Sequence, residues 1–146
     1  MNNYEVRKYL EQVQELDEAI QEKEEEERDA EASAGLMGGF QYDKVRVISS
    51  PSPDAMADSV VRYVDLLAQI RKEKLRFLIL KNKIINQIHQ VKDPRYMSVL
   101  HQRYIKYREI SEIARNLHYS CDWTRHLLSQ AVGEFRKILE SEEEKW

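Results

Sequence analysis

Cysteine occurs once, proline three times and glycine four times in this 146-residue chain. No apolar run reaches the roughly 18 residues that a membrane span needs, and the opening "MNNYEVRKYLEQ" has no signal-peptide core. A lone thiol, Cys121, excludes an internal disulfide and fits a reducing compartment. Few turn-forming residues beside 34% charged residues favour long helices over a β-sandwich. A phosphate-cradling glycine loop is also missing, since Gly38-Gly39 stands alone. The carboxylates recur with solvent-facing periodicity, in no apolar setting that would raise a pKa. These absences lead to the expectation of a cytosolic, soluble, all-α protein that is not an enzyme and holds no cofactor.

What the sequence does have is segregated charge. Residues 1–70 carry 7 Lys/Arg against 16 Asp/Glu, residues 71–137 carry 15 against 6, and the last nine return to a net −3. A chain of this kind can hold a polyanion at one end and repel it at the other.

The apolar spacing divides the chain at about residue 92. Val6, Tyr9/Leu10, Val13, Leu16 and Ile20 recur at steps of three and four, which predicts a helix over 3–33. Its acidic stretch "QEKEEEERDAEA" has almost nothing to bury and reads as a solvated, fraying helix end, with an acidic partner-binding tail as the sharper alternative. Residues 34–53, rich in Gly, Ser and Pro, read as a connecting loop. A second helix follows over 54–92, with Val60, Val61, Val64, Leu67, Ala68, Leu75, Leu78, Ile79, Ile85 and Ile88 near a helical period. Neither stripe can be buried alone, so residues 1–92 are expected to form a long antiparallel helical hairpin used for dimerisation or partner contact. Arg71, Lys74 and Asn82 interrupt the second stripe.

From Asp93-Pro94 onward the pattern changes. Asp93 can cap a helix that Pro94 begins, running to about Lys106. In "EIARNLHYSCDWTRHLL" two short helical patterns then lie three or four residues apart. Ile113, Ala114 and Leu117 would pack the first, Tyr119 would plug the turn, and Thr124 and Leu127 would face inward from the second. Ser120 stands where the second helix needs its N-cap. This is the pattern of a helix-turn-helix. Its outward positions, Cys121, Asp122, Arg125, His126 and Ser129, are then candidates to meet base edges, with Arg125 able to take two acceptors on guanine. Arg95, Arg103, Lys106, Arg108 and Arg115 are candidate phosphate contacts. His118, Cys121 and His126 match no familiar zinc spacing, so no metal is expected. Trp123 is expected to pack on the helix over 94–106, with exposure towards DNA or a partner as the alternative. Trp146 is expected on a disordered tail.

The stretch "LHQRYIKYREISEIARNLHYSCDWTRHLLSQAVGEFRKIL" resembles region 4 of the sigma-70 family. "SPSPDAMADSVVRYVDL", "DPRYMSVLHQRYI" and "EIARNLHYS" resemble, in that order, segments of phage and prophage regulators of the ArpU and RinA types. The resemblance covers most of the chain and is weakest over 21–48. It implies a C-terminal module over 93–146 with an acidic tail, and a sequence-specific, DNA-binding phage transcriptional regulator in a bacterial host cytoplasm. Expected partners are double-stranded DNA and a second copy in a homodimer. Docking on RNA polymerase, or DNA packaging and scaffolding with non-specific contacts, are the alternatives. Two positions depart from the pattern. His118 stands where such motifs prefer Gly, and the connection around Tyr107 is another place where relatives often have Gly.

Overall fold

The computed structural model describes residues 1–38 and 53–144. Among them every regular element is helical: α1 (Asn3–Gly38), α2 (Pro53–Ile88), α3 (Pro94–Leu100) continuing into a π-helical turn (His101–Ile105), α4 (Ile110–Leu117) and α5 (Cys121–Glu144). The chain separates into two compact units, one of Met1–Asp17 with Ile79–Trp146, the other Glu18–Leu78. Residues 1–17 and 79–92 therefore group with the C-terminal segment, whereas the apolar spacing had put the division at about residue 92.

In the Glu18–Leu78 unit, α1 and α2 run in opposite directions. Lys23 meets Glu73 at 2.6 Å, Lys74 meets Glu24 and Glu27 at 3.6 and 3.5 Å, and Arg71 meets Glu27 and Glu31 at 3.2 and 2.8 Å. Ile20, Ala30 and Ile70 are buried. The acidic stretch is thus no bare solvated end. Glu24, Glu27 and Glu31 recur at helical steps and face the bases that interrupt the α2 stripe. Arg71 first, and Lys74 after it, hold the Glu27 carboxyl below its usual range.

The other unit holds the main core. Val6, Leu10 and Val13 from α1 and Ile84 and Ile88 from α2 join Val99, Leu100, Ile113, Leu127, Val132 and Phe135 in one buried cluster. The Tyr9 and Phe135 rings lie 6.1 Å apart, and the Tyr9 hydroxyl donates to Gln87 at 2.5 Å. Gln87 in turn donates to Glu142 near the end of α5. Local chemistry starts α1 and α3. Asn2 Oδ1 accepts from Glu5 N–H while Glu5 accepts from Asn2 N–H, a reciprocal cap. Asp93 Oδ1 accepts from Arg95 N–H, with Pro94 in the first turn of α3.

Three boundaries differ from the periodic reading. Helix α1 continues through Gly35 to Gly38, since "AEASAGLM" consists mostly of good helix formers around one glycine. The remainder of the expected 34–53 loop lies outside the described residues. Helix α2 stops at Ile88, where Gln90 and Val91 N–H groups turn back onto Gln87 and Ile88 carbonyls. Asp93, held extended by the following proline, cannot prolong it. The acidic C-terminal stretch is helical to Glu144 because Ile138 and Leu139 keep the apolar period of α5, while the Trp146 tail lies outside the described residues.

Candidate nucleic-acid interface

Helix α4 ends at a left-handed residue. His118 has φ 60° and ψ 40°, the Tyr119 N–H returns to the Ala114 carbonyl at 2.9 Å, and the His118 N–H points back at Arg115. This double bond pattern satisfies the orphan carbonyls of the last turn and reverses the chain within two residues. Ser120 then opens α5, its hydroxyl accepting from Trp123 N–H at 3.1 Å. Thr124 is fully buried and its hydroxyl donates to the Ser120 carbonyl at 2.8 Å. Ile113, Ala114, Leu127 and Leu128 are buried beside it, and Leu117 packs partly against the same core.

The side of α5 away from this core carries Cys121, Asp122, Arg125, His126 and Ser129, all exposed. Arg125 meets Asp122 at 3.0 Å, one turn back on the helix, an exposed pair that biases its guanidinium only weakly. Ser129 accepts from the Arg7 guanidinium at 3.3 Å. Arg7 belongs to α1, and charge on that helix is a contribution to this face that the sequence reading missed. Its only sequence signal is that Arg7 and Lys8 are the sole bases among the first 22 residues.

Two aromatic expectations are corrected. Tyr119 does not plug the turn: it is 38% exposed, because Ile113, Thr124 and Leu127 already fill the inward positions. Trp123 does not pack on α3: it is 44% exposed, and its ring lies 5.3 Å from His126 on its own helix. Gln130 occupies the neighbouring turn instead, accepting from Tyr96 of α3 at 3.2 Å.

The basic residues differ in how far they are engaged. Lys106 and Arg115 are exposed. Arg103 is exposed too and donates to the Arg108 carbonyl at 3.0 Å. Arg95 pairs with Asp93 at 3.1 Å, which raises the guanidinium pKa. Arg108 is half-buried and donates to Gln102 Oε1 at 3.2 Å, an oxygen that also accepts from Asn116 at 3.1 Å. Gln102, itself buried and bonded to Ser98, ties α3 to α4 and was not singled out by its sequence context. His118, Cys121 and His126 form no metal site, and no group of three or more possible ligands occurs among the described residues. Among those residues no helix is long and apolar enough to cross a membrane. The chain matches no protein-family model, no curated protein and no solved structure.

Proposed function

We propose that this chain is a sequence-specific, DNA-binding transcriptional regulator of the phage type, in which α4 and α5 act as a sigma region 4-like helix-turn-helix. The α1–α2 pair acts as a helical hairpin for homodimerisation. One observation carries the reading: after a left-handed turn, α5 buries Thr124, Leu127 and Leu128 and leaves Asp122, Arg125, His126 and Ser129 exposed. A helix seated in this way enters a major groove with its N-terminal turns foremost. Arg125 is then the base reader, Asp122 its orienting partner, and Cys121, His126 and Ser129 are neighbouring contacts. Arg95, Arg103, Lys106, Arg108 and Arg115 serve the backbone. Catalysis, a cofactor and a metal have no part in this function.

The test is competition binding to fragments of the DNA surrounding the coding sequence, with excess random duplex, at two salt concentrations. A fragment that survives competition, with affinity falling steeply in salt, is the expected result and supplies the operator. Binding without any preferred fragment removes sequence-specific regulation and turns the proposal towards polymerase docking or packaging.

A further inference from the structure

Within Glu18–Leu78, part of the α2 stripe expected to be buried in the hairpin is instead a row left uncovered by α1. Val61, Val64, Ala68 and Leu75 follow at steps of three, four and seven and so share one side of the helix. Val61, Val64 and Leu75 are 56%, 58% and 57% exposed, whereas the opposite side buries Ile70. A two-helix unit with one polar outer face needs no such row, and an exposed one marks a contact surface.

We propose that this row joins two copies of the chain, α2 of one protomer lying antiparallel to α2 of its partner. The inference rests on the dimerisation reading above, deepens it to a surface and an orientation, and does not depend on DNA binding. Charge and size favour a second copy in this orientation. Centred between Gln69 and Ile70, an antiparallel pair sets Val64 against the partner's Leu75 and Val61 against the partner's Leu78. Ala68 then faces the partner's Arg71, which interrupts the row at the same helical spacing, so a small side chain meets a long one. Arg71 keeps its charge on Glu27 and Glu31, so its stem can line the contact without an unpaired cation. Asp65 and Lys72, seven residues apart, flank the same side of the row and form no ion pair among the described residues. Two-fold symmetry brings each Asp65 within one turn of the partner's Lys72, giving two matched pairs. A parallel arrangement loses both features. It stacks Arg71 on the partner's Arg71 in mid-row and offers Asp65 and Lys72 only Val60 and Leu67 as flanking neighbours.

Sedimentation equilibrium on the full chain tests this, with circular dichroism to check that each variant keeps its helicity. The wild type should sediment at twice its 17.4 kDa. Val64→Glu, at an exposed position, should yield folded monomer. Asp65→Lys should weaken the dimer by about tenfold or more, because like charges then face each other twice. Adding Lys72→Asp should restore it. A wild-type monomer at high concentration removes dimerisation altogether. A dimer indifferent to Val64→Glu leaves dimerisation standing and overturns this surface. Equal weakening by the single and double charge variants overturns the antiparallel register. Competition binding to DNA is read independently of all three.

Discussion

His118 bears the whole reversal between α4 and α5 on one left-handed backbone conformation, φ 60°, which costs an L-residue roughly 1–2 kcal/mol. Its side chain is exposed, so little packing offsets that strain. His118→Gly should therefore stabilise the protein by about 0.5–1 kcal/mol, after the extra unfolded-state entropy of glycine is subtracted, as read by urea denaturation. A loss of stability would mean that the imidazole has a role the turn geometry does not require. Tyr107 adopts the same region at φ 57°, but its hydroxyl bonds Asp17 of α1, so the strain there is tied to a contact that glycine would delete. Arg125 presents a separate residue-scale question. Its guanidinium is exposed and meets the Asp122 carboxylate one turn back, so on the proposed reading truncation should cost DNA binding and leave the fold intact. Arg125→Ala should lose about 1–3 kcal/mol at the cognate site and relax preference at one base pair. Arg103→Ala should weaken all sequences alike. Equal effects of the two variants on random duplex would withdraw Arg125 as a base reader.

Helices α1 and α2 were legible in the sequence because each carries an apolar period that no strand or loop would produce. Their ends were less legible. A glycine within good helix formers did not stop α1 at residue 34, and the absence of Gly and Pro before Pro94 hid the turn at 89–92. The π-helical turn over His101–Ile105 was also invisible, since one extra residue per turn leaves a short apolar pattern almost unchanged. That turn places His101 against His89, just past the end of α2, with the rings stacked at 5.9 Å. Burial first, and the neighbouring His89 second, lower the His101 pKa from 6.5. The folded state thus favours neutral His101 more than the unfolded chain does. The resulting stabilisation is present above 6.5 and is lost as pH falls through the lowered folded value. Thermal melts from about pH 7.5 to about 5.5 should show declining stability, and His101→Gln should flatten that decline. An unchanged decline in the variant would assign it to other groups.

At the scale of the whole molecule, the charge segregation of the sequence is partly spent inside the protein. Of the fifteen bases in residues 71–137, Arg71, Lys74 and Lys81 already pair with carboxylates of α1. Sequence spacing located the inward residues Ile113, Thr124 and Leu127, since they follow from helical period alone. It did not locate Arg7 or the exposed Tyr119 and Trp123, which depend on how distant segments pack. The same distinction sets the expected salt dependence. Arg95 and Arg108 have carboxylate neighbours in Asp93 and Glu112, whereas Arg103, Lys106 and Arg115 take part in no ion pair among the described residues. If only those three neutralise phosphates, log K should fall against log salt with a slope of about −2.7 per protomer. If Arg95 and Arg108 also leave their carboxylates for DNA, the slope becomes about −4.5, and doubling the salt weakens binding about twentyfold per protomer. Fluorescence anisotropy across a salt series separates the two, and Arg115→Ala should reduce the slope by about 0.9 per protomer in either case. A slope unaltered by Arg115→Ala would take that residue off the backbone contact and move the phosphate track towards the Arg7 side of α5.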